Sequence, residues 1–429
     1  MATAPTAVRQ PPWLTRYLSS ASPATFTLIA TAAAFSGYFC MYAFRKPFAA
    51  GSFEGESVAG VQLKIAFVVA QVIGYAASKF LAIKFVSELP RARRARVLIA
   101  LIAFAQLALL GFGALPPGGK VLAMFLNGLP LGAVWGLVFA FLEGRRTSEL
   151  LGAGLSMSYV IASGVVKSVG RALVQAGISE YWMPSLVGLA FLPAFLLCVY
   201  VLHCLPPPDD GDEQARSARA PMDGSARRGF YASYLGGLSA LCGLYVVLTA
   251  YRDFRDNFAL ELWIELGHED APEMMTLSEL PIAVVVMLAL ALIFRVTDNR
   301  RAFFLVHAMM AAGSILIGAS TLAFMAGGLS GALWMVAVGA GLYLGYVPYG
   351  CVLFDRLMAM TRSIGTAVFM INVTDALGYA GSVSLLLYRN FGSPQLAYLD
   401  FFTTLSLWTA GLCTLGFAIS AWYFARLRV

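Results

Sequence analysis

Twelve long apolar stretches run through this 429-residue chain, and they constrain its fold more than any other feature. A helix needs roughly 20 apolar residues to cross the hydrocarbon core of a bilayer. Only 12% of the residues are charged, whereas soluble domains have about 25%. The pattern therefore predicts an all-α membrane protein with twelve transmembrane helices. The stretches cover residues 23–50, 57–84, 95–115, 118–142, 149–174, 181–204, 230–262, 276–295, 302–325, 328–354, 363–388 and 398–425.

Two hydrophilic segments interrupt this apolar sequence. Residues 1–22 contain three prolines and two arginines and lack the apolar core of a signal peptide, so we expect a tail followed by a retained first span. Residues 205–229 are Pro-rich, charged and without hydrophobic periodicity, which is typical of a flexible linker. The predicted domains are therefore two groups of six helices, in residues 23–204 and 230–429.

Basic residues predict the orientation of the chain in the membrane. With twelve crossings, most of them fall in connections on the same side as both termini, and the opposite side carries the acidic loop 265–273. By the positive-inside rule, both termini are expected in the cytoplasm, with the chain as a multi-pass protein of the cell (inner) membrane. The net charge of +7 is then a topology signal, and we expect no nucleic-acid partner.

The two halves of the chain resemble each other in sequence. FRKPFA at 44–49 matches FRDNFA at 254–259, and IKFVSELPRA at 83–92 matches IFRVTDNRRA at 293–302, both at an offset of 210. Two parallel six-helix repeats predict the major facilitator architecture, with pseudo-symmetric bundles and a binding site near the bilayer midplane. Matched residues of the repeats are expected to face each other at equal depth.

Two arginines at matched positions are the first candidates for a binding site. Arg45 and Arg255 could reach into a central cavity from opposite halves, where two guanidinium groups would clamp a phosphate or carboxylate. Alternatively, both side chains could extend to the membrane surface. Asp253 and Asp256 could neutralise these arginines, and Arg252 is an alternative for the second one.

Helix two and helix ten offer further candidates for substrate binding. Lys79 lies on one helical face with Gln71 and Tyr75, and together they could complete a basic pocket. Lys79 could instead extend to the cytoplasmic surface. Tyr346 suits a cavity wall, or it could pack in the core.

Asp375 is the acidic residue placed deepest in a predicted span. A charged group in a span is unfavourable by roughly 2.5–3.5 kcal/mol, so it usually faces a cavity or a partner. Asp375 could carry a proton, or it could pair with a buried cation such as Lys64 or Lys167.

Charged residues also end helices four and ten on the predicted cytoplasmic side. They could form networks that lock one state of a transport cycle, or they could be solvated helix ends. The predicted gating residues are Glu143, Arg145, Arg146, Asp355 and Arg356.

The segment YAFRKPFA at 42–49 resembles the first-helix motif of the organophosphate:phosphate antiporters, and GYAASKF at 74–80 resembles their second helix. The resemblance implies that Arg45 and Arg255 bind a phosphate, with Arg252 as the alternative to Arg255, and that Lys79 assists. It also implies exchange of an organophosphate for inorganic phosphate.

We therefore expect a secondary transporter of a small organic anion that works by alternating access. A proton-coupled transporter of another solute that uses Asp375 is the alternative, and a transporter-like membrane sensor is a third. The sequence has no catalytic, metal or phosphate-loop motif, so we expect neither an enzyme nor a cofactor. The expected partners are an anionic small molecule and membrane lipid, with the chain as a monomer.

Overall fold

The computed structural model describes residues 12–58, 60–143, 145, 147–208, 224–269, 271–361, 367–392 and 395–426. The N-terminal half contains α1 (Trp13–Ser20), α2 (Pro23–Tyr42), α3 (Leu63–Glu88), α4 (Arg91–Ala114), α5 (Pro117–Leu131), α6 (Val134–Leu142), α7 (Ser148–Gln175) and α8 (Met183–Cys204). A 3-10 helix (Pro47–Ala50) and a small hairpin of β1 (Ser57–Val58) and β2 (Val61–Gln62) lie between α2 and α3.

The C-terminal half is also helical. It contains α9 (Gly224–Ser233), α10 (Leu235–Asn257), α11 (Ala259–Glu265), α12 (Met274–Leu277), α13 (Glu279–Phe294), α14 (Asn299–Met325), α15 (Gly331–Cys351), α16 (Leu353–Met360), α17 (Ala367–Leu387) and α18 (Tyr398–Arg426). A π-helical turn, Tyr388–Gly392, follows α17.

The predicted fold class is confirmed. Within the described residues, twelve helical segments are long and apolar enough to cross a membrane, six in each half. In the N-terminal bundle, α3 packs on α5, and α2 packs on α7 and α8. In the C-terminal bundle, α14 packs on α15 and α18, and α10 packs on α17 and α18. The bundles meet where α3 contacts α17 and where α7 contacts α12, α13 and α15.

Several predicted stretches are broken by short irregular turns. The stretch 23–50 contains α2, which ends at Tyr42, and then a turn that leads into the 3-10 helix at Pro47. Proline lacks an amide hydrogen and clashes with the preceding helical turn, so it weakens the continuation of an α-helix. Arg45 therefore lies in the turn after the first span and not within a continuous helix.

The two predicted hydrophilic segments are partly helical. α1 lies within the predicted tail, and α9 begins inside the predicted linker, at Gly224. Residues 1–11 of the tail and 209–223 of the linker lie outside the described residues.

We call the end of the bundles at which α2 begins the near end, and the end at which it finishes the far end. At the far end the bundles touch through Gly164 on α7, whose Cα faces the backbone carbonyl oxygen of Met275 on α12. A Cβ atom at position 164 would clash with that oxygen, so only glycine allows this approach.

Candidate functional site

Arg45 is buried at the centre of the molecule, between the two bundles, and is only 3% exposed. Its guanidinium lies over the ring of Tyr75 on α3, 3.7 Å from the ring centroid. Its Nε atom is buried without a hydrogen-bond partner, and among the described residues no carboxylate forms an ion pair with it. A buried arginine without a carboxylate is unfavourable unless another anion can reach it.

Two amide side chains hold the turn that carries Arg45. Gln71 donates from Nε2 to the carbonyl oxygen of Arg45 (2.8 Å), and Asn127 donates from Nδ2 to that of Phe44 (3.0 Å). A hydrogen bond of 2.8 Å also joins Gln71 to Asn127. These bonds satisfy buried carbonyl groups of the turn that follows α2. Gln71, predicted to bind substrate, therefore lies behind Arg45 and supports the backbone.

Arg252 on α10 lies across the interface and lines the same space as Arg45. It donates from Nη1 to the hydroxyl of Tyr346 on α15, and from Nη2 to the hydroxyl of Tyr379 on α17 (3.1 Å). It also forms an ion pair with Asp253 at 2.6 Å. Arg252 therefore has a carboxylate partner, whereas Arg45 has none among the described residues.

Two neighbouring cavities lie between the bundles. The smaller, of about 10 Å³, is lined by charged groups and tyrosines: Tyr42, Arg45, Lys46, Tyr159, Arg252, Asp253, Asp256 and Tyr343. The larger, of about 40 Å³, is lined mainly by aromatic and hydroxyl groups: Tyr38, Tyr42, Tyr75, Lys79, Trp135, Ser156, Tyr159, Tyr245, Arg252, Tyr346, Tyr349, Gly350, Ile371, Thr374, Asp375 and Tyr379. A water needs at least about 10–15 Å³, so the larger cavity has room for two or three waters.

Arg255 is outside the lining of both cavities. Its Nη1 atom forms an ion pair with Glu279 at 2.8 Å, and its Nη2 donates to the carbonyl oxygen of Met335 at 3.2 Å. Three residues turn a helix by about 300°, so Arg255 points about 60° away from Arg252. The structure thus brings Arg252, and not the repeat mate Arg255, to the space that Arg45 lines.

Lys79 and Asp375 form an ion pair of 2.9 Å in the lining of the larger cavity. Tyr245 donates to the other oxygen of Asp375 at 2.5 Å. Lys79 also lies 5.6 Å from the ring centroid of Tyr75. The partner of Asp375 is therefore Lys79, and the predicted pairing with Lys64 or Lys167 is wrong.

Lys64 and Lys167 pair with other carboxylates of the C-terminal bundle. Lys64, at the far end of α3, pairs with Glu261 on α11. Burial raises the pKa of the Glu261 carboxyl above its ordinary value, although Lys64 opposes the shift. Lys167 on α7 pairs with Asp256 at 2.7 Å.

Asp256 accepts from two lysines, because Lys46 also pairs with it at 2.5 Å. Ser163 donates to the same carboxylate, and Lys46 donates to Asn257 at 2.8 Å. Lys46 and Asp256 occupy matched positions of the repeats, 210 residues apart. Lys46 was not among the predicted site residues, although its place beside Arg45 in FRKPFA was a usable signal.

The predicted gating residues lie at the near end. Arg145 donates to the carbonyl oxygen of Pro206 and lies 4.4 Å from the ring centroid of Phe26. Arg356 donates to Asn299 at 2.8 Å. Glu143 caps α6 and Asp355 lies in the first turn of α16, while Arg146 lies outside the described residues. Each of these contacts lies within one bundle, and the gating role stays a prediction.

The twelve spans in two facing bundles form the major facilitator fold, and solved structures share it. A D-xylose-proton symporter matches with a TM-score of 0.61 and 12% identity, over 92% of this chain and 96% of that chain. An auto inhibited POT family peptide transporter matches with a TM-score of 0.54 and 15% identity, over 97% of this chain and 98% of that chain. Such low identities support the shared fold alone.

The sequence matches the family described as "Family of unknown function (DUF5690)" over residues 47–427, and the chain belongs to that family. No curated protein is similar enough in sequence to match this chain. The resemblance to the organophosphate:phosphate antiporters stays a prediction.

Proposed function

We propose that this protein is a secondary transporter that moves a small organic anion across the membrane by alternating access. The observation that carries the proposal is Arg45, a buried guanidinium with no carboxylate partner among the described residues. An arginine held in this way is a binding group for an anion that comes from outside the protein. The fold supports transport, because the two similar structures are a symporter and a peptide transporter.

The charge balance of the interface favours an anionic substrate. Within the described residues, six cations line the cavities or pair across the interface, against four carboxylates. The cations are Arg45, Lys46, Lys64, Lys79, Lys167 and Arg252, and the carboxylates are Asp253, Asp256, Glu261 and Asp375. An anion that enters would compensate the excess positive charge.

Arg45 and Arg252 would hold the anionic group. A planar guanidinium can donate two parallel hydrogen bonds to a carboxylate or phosphate. Lys79 and the tyrosines of the larger cavity would face the rest of the substrate. An organophosphate exchanged for inorganic phosphate is the substrate class that the sequence resemblance favours.

The size of the cavities supports alternating access. The larger one, of about 40 Å³, is too small for an organophosphate, so the bundles must separate to admit the substrate. We propose that the protein lies in the inner membrane of the cell. Its near end, where both termini are expected, then faces the cytoplasm. The near-end charged groups Glu143, Arg145, Asp355 and Arg356 would then open and close as the bundles rock.

The test is exchange of radiolabelled inorganic phosphate by purified protein in proteoliposomes loaded with unlabelled phosphate. We expect Arg45→Ala and Arg252→Ala each to reduce exchange about a hundredfold, since each loses a charge-assisted contact with the anion. Arg93→Ala, which removes an exposed arginine on α4, is the control and should exchange like the wild type. If both cavity variants retain exchange, the two-arginine site is wrong. Phosphate binding without flux would indicate a membrane sensor instead.

A second candidate function is proton-coupled transport, and the Lys79–Asp375 pair in the larger cavity favours it. A carboxylate that lines a cavity in a span can take up and release a proton as access alternates. We expect a pH gradient to drive uptake in the wild type and to have no effect in Asp375→Asn. Uptake by the wild type that does not depend on the pH gradient would contradict proton-coupled transport.

A further inference from the structure

Three oxygen atoms from three helices form a continuous row beside the larger cavity. Tyr245 on α10 lies 2.5 Å from a carboxylate oxygen of Asp375 on α17 and 2.8 Å from the hydroxyl of Tyr346 on α15. Tyr346 in turn accepts a hydrogen bond from Arg252. The row therefore connects Asp375 with an arginine of the proposed anion site.

Each hydroxyl in this row has only one hydrogen to donate. Tyr245 is within hydrogen-bonding distance of two oxygens, but it can donate to only one of them at a time. A charged carboxylate can only accept, so Tyr245 must donate to Asp375 while Asp375 is ionised. The geometry of the Tyr245–Tyr346 pair suits only Tyr245 as the donor, so Tyr346 receives no hydrogen bond from Tyr245 in this state.

Protonation of Asp375 changes this arrangement. A protonated carboxyl group is a donor, so Asp375 now donates to Tyr245, and Tyr245 donates to Tyr346. The oxygen of Tyr346 accepts from both Tyr245 and Arg252. These two accepted bonds polarise the Tyr346 hydroxyl, which makes its hydrogen a stronger donor to an anion beside Arg252.

We propose that the row Asp375–Tyr245–Tyr346 couples proton binding at Asp375 to anion binding at Arg252, so that the protein carries a proton with its anion. This inference rests on the anion transport proposed above. One proton from solvent binds the Asp375 carboxylate, and the Tyr245 hydroxyl only changes direction, so no bond between heavy atoms forms or breaks. The coupling is reciprocal, because whatever favours the anion on the protonated protein also favours the proton on the occupied protein.

The charge balance around Asp375 also favours anion binding when Asp375 is protonated. Lys79 on α3 stabilises the ionised carboxylate, and protonation of Asp375 leaves the lysine without its partner. Protonation thus adds one positive charge to a cavity that Arg252 also lines, which again favours the anion. The remaining titratable or charged side chains that line this cavity are Tyr75 on α3, Tyr159 on α7 and Tyr379 on α17, with Tyr349 on α15 and the α2 residues Tyr38 and Tyr42.

The experiment compares two modes of radiolabelled phosphate uptake in proteoliposomes, at one fixed external pH so that the external phosphate species do not change. The first mode is exchange against internal phosphate without a pH gradient. The second is net uptake into liposomes whose interior is one pH unit more alkaline. One pH unit can drive at most about a tenfold accumulation for one proton per anion.

We expect accumulation approaching tenfold for the wild type and none for Tyr245→Phe, whose exchange remains measurable. Phenylalanine keeps the ring of residue 245 but removes the hydroxyl that joins Asp375 to Tyr346. The control is Tyr251→Phe on the same helix, whose hydroxyl is hydrogen-bonded to Ser406 and lies outside both cavities. We expect this control to accumulate phosphate like the wild type.

Accumulation by Tyr245→Phe equal to that of the wild type would overturn the inference and leave anion transport intact. Absence of exchange in the wild type would overturn phosphate transport and the inference with it.

A second measurement does not require the tyrosine variant to fold. Infrared difference spectra of the wild type should show a protonated carboxyl band when phosphate is added at constant pH, and Asp375→Asn should lack it. If phosphate raises no such band in the wild type, the inference is wrong.

Discussion

Within the described residues, the charged groups that line the cavities differ between the two halves of the chain. Those of the N-terminal half are all cations, whereas those of the C-terminal half are carboxylates and one arginine. Among the residues that the structure describes, four ion pairs join the halves, and each joins a lysine of the first half to a carboxylate of the second: Lys46–Asp256, Lys167–Asp256, Lys64–Glu261 and Lys79–Asp375. The halves share a sequence repeat but carry opposite charges in the ion pairs where they meet. This difference pairs the bundles at their interface and leaves Arg45 as a cation without a carboxylate partner among the described residues.

The largest expected effect comes from removing the carboxylate that two lysines share. Asp256→Ala leaves Lys46 and Lys167 buried without it, and we expect the free energy of unfolding to fall by about 3–5 kcal/mol. Denaturation of the purified protein in detergent measures the change. Glu54→Ala, at an exposed acidic position, is the control and should leave stability unchanged. An unchanged stability of Asp256→Ala would show that the opposite charges do not hold the halves together.

Substitution of the two arginines at matched repeat positions should affect the stability of the protein differently. Arg255→Leu leaves Glu279 buried without its partner, so we expect a loss of about 3 kcal/mol in unfolding free energy. Arg45→Leu removes an unpaired buried cation, so stability should stay the same or rise while phosphate binding is lost. Thermal unfolding with and without phosphate distinguishes the two. Equal losses of stability would mean that Arg45 is a structural residue.

The smallest expected effect concerns the far-end contact that the ion pairs reinforce. Gly164→Ala places a methyl group against the carbonyl oxygen of Met275, so we expect about 1 kcal/mol of strain and wider separation of the bundles at the far end. Distances between spin labels at exposed Ser179 and Glu269, in a background without the native cysteines, measure the separation. Gly243→Ala has no neighbour within 4 Å of the added Cβ and is the control. An unchanged label distance in Gly164→Ala would contradict tight closure there.

The fold was predictable because its determinants are local. Apolar length predicts each span, and the repeat at 44–49 and 254–259 predicts two related bundles. The site was predictable only in part. Arg45, Lys79, Asp375, Tyr75 and Tyr346 lie together around the cavities, but their partners were not all foreseen.

The repeat offset predicted how deep a residue lies in the membrane, but it did not predict how its helix is rotated about its own axis. It correctly brings matched positions together at Lys46 and Asp256, yet the neighbouring pair, Arg45 and Arg255, does not meet. Adjacent residues on a helix differ by about 100° in direction, so a small difference in helix rotation decides which side chain faces the cavity. The turn between α2 and Pro47 adds to this difference, because it contains Arg45, whereas Arg255 lies within α10.

The sequence by itself determined the membrane class, the twelve spans and the two-bundle plan, because these depend on hydrophobic length and on repetition along the chain. Only the tertiary structure decided that Lys79 pairs with Asp375, that Arg252 takes the place expected for Arg255, and that Arg45 has no carboxylate among the described residues. Such partnerships join residues as far apart as 296 positions in sequence. They depend on how helices rotate and pack against one another, which no local pattern specifies.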